Sequence, residues 1–432
     1  MTFADWKSLS PAAAAHRVHQ RVAALPPAQQ RAAVATLASE SDLASAIAAA
    51  PCDAPLAGIP FAAKDLFDAA GLPTFAGSLF LPEVRIEHLP SLVAPADGAF
   101  VADLRVAGAA LAAKTHLHEF AYGLTGENSH YGDCDHPLFP GRTSGGSSSG
   151  SAALVAAGVV PLALASDTGG SIRVPAAFCG LYGFRLIPQH RWVADAVMLA
   201  PSFDTPGFFT STAADMGATL DALVPVEAEN PKAHSPKPNG ERAPRGAYLS
   251  LPGLDPEVAI AFTAVASRFA EPLAPALVAE LTSLFAPAAE LYAVIGGHET
   301  WAIHAPWFEQ YRDRYDPGVR ARIERASTIT AAQLAPALAH RIKIRTAWAA
   351  LFRDYDFIVL PSSPCPALTK ADCTLANRNR ILSLTAPASM ADLPVLALPV
   401  QLPDTSGLTT GLQVIAPTVS SPAFRHALAL HG

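Results

Sequence analysis

The stretch from residue 60 to residue 210 alternates short apolar runs with clusters of Gly, Pro, Ser and Asp. This alternation is typical of strands and helices that follow one another in a layered α/β structure. Residues 100–114 predict a helix and then a strand, residues 152–157 predict a helix, and residues 159–165 predict a buried strand. The pattern therefore predicts an α/β fold.

The segments on either side of this stretch differ from it in composition and periodicity. Residues 11–50 are rich in Ala with apolar residues at helical spacing, and they predict two helices broken at residues 26–27, both proline. Residues 255–350 also look helical, while residues 355–361 and 393–399 predict short strands bounded by proline. Because a helical block lies between two α/β segments, we expect one composite fold with an insertion.

We divide this expected single domain into five segments. They are N-terminal helices over residues 1–50, an α/β core over 55–225, a loop over 226–246, a helical insertion over 250–350 and a C-terminal return to the core sheet over 351–432. The loop is predicted because its composition is polar and rich in proline, without periodicity.

Composition excludes several classes of protein. Only 16% of the residues are charged and 50% are hydrophobic, which excludes a disordered chain. The net charge of −7 argues against a nucleic-acid-coating surface. Five cysteines without a C-x-x-C pair form neither a disulfide framework nor a zinc ribbon. The apolar run 152–165 is too short and too broken to span a bilayer, and the N-terminus lacks a secretory pattern, so we expect a cytoplasmic protein.

Two polar stretches carry the candidate chemistry. Residues 141–151 read GRTSGGSSSGS, ten of eleven being Gly, Ser or Thr, and a predicted helix follows directly. Hydroxyls and free backbone N–H groups at a helix N-terminus favour negative charge. Residues 166–173 read SDTGGSIR and follow a predicted strand. Their paired glycines can present consecutive N–H groups beside Ser171, as an oxyanion hole requires.

A serine nucleophile needs a base, and neither stretch contains a histidine. Lys64 ends the apolar run GIPFAAK, which predicts a strand. Burial lowers the pKa of a lysine because it disfavours the ammonium form. A decrease of roughly 3 units from about 10.4 would leave the amine neutral at pH 7. Lys64 is therefore the candidate base.

Three motifs together resemble the amidase signature family of serine hydrolases: residues 58–65, 145–150 and 167–173. In that family a GGSSxG run precedes the nucleophilic serine of D-x-GGS-[IV]-R by 24 residues, the spacing found here between Ser147 and Ser171. Further matching pieces are residues 113–115, 199–207, 357–364 and 411–415. The resemblance covers about residues 55–417, most of the chain.

The resemblance implies an α/β/α sandwich, with a central mixed sheet flanked by helices. It also implies a Ser–cis-Ser–Lys triad in which Ser171 is the nucleophile, Ser147 the cis-serine and Lys64 the base. The expected reaction is hydrolysis of a small carboxamide through an acyl-serine, with neither a metal nor an organic cofactor. The expected oxyanion hole consists of the backbone N–H groups of Thr168, Gly169, Gly170 and Ser171.

Five more residues receive supporting roles. We expect Asp167 and Arg173, which flank the nucleophile, to form a charged pair that holds the turn. We expect Ala121, Tyr122 and Gly123 to line the substrate pocket. The expected partner is a small-molecule amide, with no nucleic acid and no membrane, and a homodimer is left open.

Other readings of these residues are weaker. The 145–150 run lacks the G-K-[ST] ending of a phosphate-binding loop, which argues against that function. Lys114 also follows an apolar run, and we interpret it as a structural residue. Seven side chains resemble a metal-ligand cluster, but their spacing matches neither H-E-x-x-H nor a Cys/His zinc pattern, so structural or pocket-lining roles are expected. They are His116, His118, Glu119, His130, Asp133, Cys134 and His136.

Three functional alternatives stay open beside a free-standing amidase. The chain could be the amidase subunit of a tRNA-dependent amidotransferase, which needs partner subunits. It could cleave a urea-like C–N bond, as in allophanate or biuret. It could be an inactive member that only binds, although the intact set of Lys64, Ser147 and Ser171 argues against this.

Overall fold

The computed structural model describes residues 1–86, 93–224, 242–403 and 407–432. The strands within these ranges are β1 (Val34–Leu37), β2 (Pro60–Lys64), β3 (Ala110–Thr115), β4 (Asp135–His136), β5 (Phe139–Thr143), β6 (Leu162–Asp167), β7 (Tyr182–Arg185), β8 (Thr205–Thr210), β9 (Gly246–Tyr248), β10 (Glu271–Pro272), β11 (Phe357–Pro361), β12 (Val395–Gln401) and β13 (Thr409–Ile415). Eleven of them form one sheet in the order β1-β3-β2-β6-β8-β7-β12-β13-β11-β9-β10, and β4 pairs with β5 in a separate hairpin.

Helices precede, separate and follow these strands. They are α1 (Phe3–Lys7), α2 (Pro11–Ala23), α3 (Pro27–Ala33), α4 (Glu40–Ala49), α5 (Leu81–Ile86), α6 (Ala99–Val106), α7 (Ser149–Ala156), α8 (Arg173–Cys179), α9 (Ala213–Leu223), α10 (Pro256–Ala266), α11 (Pro275–Phe285), α12 (Ala288–His304), α13 (Phe308–Tyr311), α14 (Pro317–Ala326), α15 (Ala331–Asp354), α16 (Leu375–Met390) and α17 (Pro422–His431). Short 3₁₀ turns cover Glu119–Ala121, Arg312–Arg314 and Lys370–Asp372.

The sheet is mixed, as the resemblance implied. β2 runs parallel to both of its neighbours, β3 and β6. From β6 onward each strand pairs antiparallel with the next one in the sheet, in the order β6, β8, β7, β12, β13 and β11. The register places Lys64 opposite Thr115 and Ala63 opposite Leu164. The carboxyl ends of β2, β3 and β6 therefore meet at one edge of the sheet, where α/β proteins commonly bind ligands.

Helices cover both faces of the sheet, which confirms the predicted sandwich. Successive side chains of a strand point to opposite faces, and β11 illustrates the result. Val359 joins a core that contains Phe424 of α17, whereas its neighbours Ile358 and Leu360 join a second core that contains Trp348 of α15.

The N-terminal region differs from its predicted pair of helices. Proline does break the helix between α2 and α3, but residues 34–37 form the strand β1 instead of continuing a helix. β1 pairs antiparallel with the outer edge of β3. The tertiary environment thus overrides local helical preference, because an unpaired sheet edge offers backbone hydrogen bonds to a β-branched segment.

The segment 250–350 is mainly helical, as predicted, with α10 to α15 and the two-residue strand β10. By length and composition alone, the stretch Pro275–His304 could cross a membrane. The structure divides this stretch into α11 and α12 around Pro287, and α12 packs against α14, α15 and α16. One such stretch is weak evidence for a span, and the expected absence of membrane contact stays a prediction. Residues 226–241 of the predicted proline-rich loop lie outside the described residues.

Candidate active site

The end of β2 carries Lys64 into the interior of the protein. All five residues of β2 are buried, and Lys64 is 0% exposed. The chain crosses the sheet again in β6, so Ser166 and Asp167 reach the same edge from the neighbouring parallel strand. The sheet therefore brings a lysine and a polar strand end together in an environment that excludes water.

Three hydroxyl groups surround the amine of Lys64. Its Nζ lies 2.8 Å from Ser147 Oγ, 3.0 Å from Ser148 Oγ and 2.8 Å from Ser166 Oγ. Burial lowers the pKa of Lys64 to about 7, and the negative charges of Asp167 and Asp204 oppose part of the decrease. The amine is therefore substantially neutral near pH 7, as expected from the sequence.

The hydrogen-bond pattern accommodates a neutral amine. Ser148 Oγ donates to the carbonyl oxygen of Ser166 at 3.0 Å, so it can only accept from Lys64. The two hydrogens of the neutral amine can then be donated to Ser148 Oγ and Ser166 Oγ. The lone pair of the nitrogen remains to accept a hydrogen bond from the hydroxyl of Ser147. This arrangement is what a base coupled to Ser147 requires.

The glycine-serine loop before α7 holds Ser147 in place. The peptide bond between Gly146 and Ser147 is cis, in agreement with the family pattern. The backbone N–H of His118 donates to the carbonyl oxygen of Ser147 at 3.1 Å, and the N–H of Gly146 donates to that of Leu124 at 2.8 Å. A Cβ atom on Gly146 would lie 2.6 Å from the backbone nitrogen of Gly126, so only glycine fits at this position.

The loop that carries Ser171 is organised by Asp167. Arg173 pairs with this buried carboxylate through both Nε at 3.0 Å and Nη2 at 2.8 Å, and Arg185 Nε adds a contact at 3.3 Å. The backbone N–H of Ile172 donates to the same carboxylate at 3.0 Å. Burial acts to raise the pKa of Asp167, but the guanidinium groups of Arg173 and Arg185 and the backbone N–H of Ile172 together outweigh it and hold that pKa well below its usual range. Asp167 and Arg173 thus form a charged pair around the turn.

One member of the expected oxyanion hole needs correction. The N–H of Gly170 donates to Asp167 Oδ1 at 2.8 Å and is therefore already engaged within the turn. The N–H groups of Thr168, Gly169 and Ser171 have no acceptor among the described residues. Asp167 accepts this hydrogen bond within its own turn. Three backbone N–H groups, rather than four, therefore remain as candidate donors to the oxyanion.

Three residues outside the predicted site support this loop. Thr168 Oγ1 donates to the buried carboxylate of Asp204 at 2.6 Å, and burial raises the pKa of that carboxyl to about 6. Thr385 Oγ1 on α16 donates to the carbonyl oxygen of Gly169 at 2.5 Å. A Cβ on Gly169 would lie 2.6 Å from the hydroxyl of Tyr292 on α12. Asp204 lies in a matching motif and could have been singled out, whereas Thr385 and Tyr292 carry no local signal.

The expected pocket residues follow Glu119 in a turn near Ser147. Ala121 borders a small cavity of about 10 Å³ that Ser166 and Asp204 also line, with room for about one water molecule. The carbonyl oxygen of Tyr122 accepts a hydrogen bond from Arg322 at 2.7 Å. Gly123 lies under the imidazole of His118, where a Cβ would come within 2.2 Å of the ring. Contact of these three residues with substrate stays a prediction.

The candidate metal ligands do not converge. Among the described residues no three side chains of His, Cys, Asp or Glu are placed to hold a metal ion. The histidines have separate neighbours: His116 stacks on Tyr131, His118 Nε2 meets Arg322, His130 Nε2 meets Glu119 and His136 Nε2 meets the carbonyl oxygen of Phe178. Lys114, the second buried lysine, forms a 2.5 Å ion pair with Asp65.

Comparison with known proteins identifies the family. A family model described as Amidase matches residues 14–423. The chain belongs to the amidase family. It is 31% identical over 404 residues to Amidase 1 of Oryza sativa subsp. japonica, covering 87% of this chain and 89% of that protein. It is 32% identical over 391 residues to the 1-carboxybiuret hydrolase subunit AtzE of Pseudomonas sp. (strain ADP), covering 84% and 80%.

A solved amidase crystal structure has the same fold as this amidase. The TM-score is 0.79 at 28% sequence identity, with 100% of this chain and 98% of the other covered. The amidase family hydrolyses C–N bonds of amides, which confirms the predicted family and the predicted enzyme class. The roles of individual residues rest on the geometry described above.

Proposed function

We propose that this amidase hydrolyses a small-molecule carboxamide to a carboxylate and ammonia or an amine, with Ser171 as nucleophile. Ser171 Oγ attacks the carbonyl carbon and gives its proton to Ser147, whose own proton passes to the neutral amine of Lys64. The tetrahedral intermediate then collapses. The C–N bond breaks, and the nitrogen leaves with the proton returned from Lys64 through Ser147.

Water completes the cycle. It attacks the acyl ester on Ser171 and gives one proton along the same path to Lys64. That proton returns to the seryl oxygen as the ester C–O bond breaks, and the carboxylic acid that leaves ionises to the carboxylate by releasing its remaining proton to solvent. The N–H groups of Thr168, Gly169 and Ser171 hold the oxyanion in both tetrahedral intermediates. The triad carries the proton transfers of both steps and the product acid ionises in solvent, so the proposal assigns no step to a metal or an organic cofactor.

One observation carries this proposal. A fully buried lysine without a carboxylate within 4 Å, among the described residues, contacts three hydroxyls, and its pKa is lowered to about 7. A structural lysine in such a site gains stability from an ion pair, as Lys114 does with Asp65. Lys64 has hydroxyl neighbours instead, which suits a group that accepts and returns a proton.

The test is ammonia release by the purified full chain from a panel of aliphatic, aromatic and urea-like amides. We expect turnover of at least one amide, covalent labelling of Ser171 by a fluorophosphonate probe, and unchanged activity after EDTA treatment. Ser171→Ala should lose both labelling and turnover, while the matched surface variant Ser267→Ala should keep both. Labelling at another serine, or activity lost in EDTA and restored by zinc, would contradict the proposal.

The second candidate function is a hydrolase subunit that needs partners. It is favoured by the similarity to AtzE, whose name describes a subunit acting on 1-carboxybiuret. A chain that releases ammonia on its own from simple amides would support the free-standing amidase. A chain that labels at Ser171 but turns over only with added partner subunits would support the alternative.

We also infer a cytoplasmic enzyme, and we leave a homodimer open. The five cysteines are unpaired, which suits a reducing compartment. Cell fractionation and light scattering of the purified chain test these two points separately.

A further inference from the structure

The unengaged N–H group of Gly169 lies between two anchored points of residues 168–171, the nucleophile loop. On one side, Thr168 Oγ1 donates to the carboxylate of Asp204 at 2.6 Å. On the other side, the carbonyl oxygen of Gly169 accepts a hydrogen bond from Thr385 Oγ1 at 2.5 Å. The N–H of Gly169 itself has no acceptor among the described residues. The surrounding contacts therefore hold this donor in place and leave it unused.

The peptide group between Gly169 and Gly170 is fixed at both of its polar ends. Its carbonyl oxygen accepts from Thr385, and its N–H donates to Asp167 Oδ1 at 2.8 Å. Because a peptide group is planar, two such contacts define the orientation of the whole group. Two adjacent glycines would otherwise leave the group unusually free to rotate. Asp167 belongs to the same turn, whereas Thr385 reaches the loop from α16.

The hydroxyl of Thr385 contacts the nucleophile loop more closely than it contacts its own helix. A threonine inside a helix can donate to the carbonyl oxygen four residues earlier. The carbonyl oxygen of Ile381 at that position lies 3.4 Å from Thr385 Oγ1, against 2.5 Å for the carbonyl oxygen of Gly169. The side chain of Thr385 is fully buried. The shorter distance therefore assigns the hydroxyl to the loop.

Arg173 holds α16 against the nucleophile loop. Its Nη1 donates to the carbonyl oxygen of Thr385 at 2.7 Å, and its Nη2 donates to Ser389 Oγ at 2.8 Å. One guanidinium thus contacts two successive turns of α16. The same guanidinium pairs with Asp167 inside the loop's own turn. These contacts fix the separation between the Thr385 hydroxyl and the loop that carries Ser171.

We propose that Thr385 is a positioning residue of the oxyanion hole, whose hydroxyl holds the carbonyl group of Gly169 so that the N–H of Gly169 points at the oxygen that becomes negatively charged when Ser171 attacks. Thr385 acts through the backbone and donates no hydrogen bond to the substrate. An oxyanion donor stabilises the transition state more than the bound substrate, because the negative charge develops only during the reaction. This inference rests on the proposed function of Ser171.

The experiment measures kcat and KM of Thr385→Val and Thr385→Ser with an amide that the wild-type chain hydrolyses. Valine keeps the branched shape without the hydroxyl, whereas serine keeps the hydroxyl without the methyl group. We expect Thr385→Val to lower kcat by about 10- to 100-fold and to change KM by less than about 3-fold. Thr385→Ser should keep kcat within about 3-fold of the wild type. A wild-type kcat in Thr385→Val, or a serine variant as impaired as the valine variant, would overturn the positioning role.

Two further measurements separate positioning from a general disturbance of the site. The pH dependence of kcat/KM follows the base, so its midpoint should be the same in Thr385→Val and the wild type. A shifted midpoint would show altered surroundings of Lys64 and would contradict a role confined to the oxyanion hole. The matched control is Thr219→Val on α9, where a buried hydroxyl donates to the carbonyl oxygen of Asp215 at 2.7 Å. It should keep the wild-type kcat, and a loss equal to that of Thr385→Val would contradict the inference.

The pair Thr385→Ser and Thr385→Ala repeats the comparison if Thr385→Val does not fold. Both variants lack the methyl group and they differ only in the hydroxyl, so kcat should be about 10-fold or more higher for the serine variant. Equal kcat values for this pair would overturn the inference.

Fluorophosphonate labelling of Ser171 and amide turnover by the wild-type chain distinguish this inference from the proposed function. Labelling and turnover in the wild type, with an unchanged kcat in Thr385→Val, would overturn only the role of Thr385. Absence of both labelling and turnover in the wild type would overturn the proposed function, and the role of Thr385 with it.

Discussion

Lys64 Nζ lies 2.8 Å from Ser147 Oγ, although 83 residues separate them in the chain. The contact forms because β2 ends at the sheet edge where the loop before α7 begins. Its chemical consequence comes from burial, which lowers the pKa of the lysine to about 7. The predictions below start from this contact and extend to the loop around Ser171.

The pH dependence of activity should follow the protonation of Lys64. Only the neutral amine can accept a proton, so kcat/KM should fall as the pH drops below about 7. Lys64→Arg keeps the positive charge but does not deprotonate near neutrality, so it should lose about as much activity as Lys64→Ala. Rates of the two variants at one pH are the measurement. An arginine variant near the wild-type rate would remove Lys64 from the mechanism.

The burial of Lys64 should also make the free energy of unfolding of the protein depend on pH. The pKa of this residue falls from 10.5 to about 7 on folding, so the unfolded chain binds more protons between these values. The contribution of Lys64 to the free energy of unfolding should therefore rise as the pH increases from about 7 to 10.5. Below about pH 7 the destabilising effect of Lys64 should have its full size. Denaturant titrations at several pH values, compared with Lys64→Met, measure this slope. Identical slopes for the two proteins would contradict the lowered pKa.

Loss of the Asp167 charge should destabilise the fold and the nucleophile loop together. Asp167→Asn leaves Arg173 and Arg185 without a buried counter-charge, which should lower the free energy of unfolding by about 3–5 kcal/mol. Activity should fall as well, because Asp167 holds the backbone N–H of Gly170. The matched surface variant Asp221→Asn breaks an exposed pair with Arg425 and should cost less than about 1 kcal/mol. Equal effects of the two variants on thermal unfolding would be inconsistent with this role.

Gly169 should tolerate no side chain while Tyr292 is present. In Gly169→Ala the new Cβ would lie 2.6 Å from the Tyr292 hydroxyl, so the loop must shift and kcat should fall sharply. Adding Tyr292→Ala removes the collision and should restore part of the loss. Gly217→Ala in α9, where a Cβ meets nothing within 4 Å, should be neutral or slightly stabilising. If the double variant is no better than Gly169→Ala, the collision is not the cause.

Local patterns were sufficient for much of the fold. Alternating apolar runs indicated β2, β6 and the helix α7 between them, because strand and helix periodicities are properties of short segments. The pattern failed at β1, where a free sheet edge decided the conformation of residues 34–37. This free sheet edge belongs to β3, which is distant in sequence from residues 34–37. The local sequence of the N-terminal segment therefore cannot indicate that the edge is there.

The sequence by itself determined the family and the three candidate residues Lys64, Ser147 and Ser171, because their motifs are long, ordered and locally recognisable. Only the tertiary structure decided which backbone N–H groups are free, since the engagement of Gly170 depends on how Asp167 folds back into its own turn. It also decided that Thr385 and Tyr292 contact the loop at Gly169. These residues lie on helices that have no motif of their own, and helix packing against the sheet, which no local pattern encodes, sets their distance from Ser171.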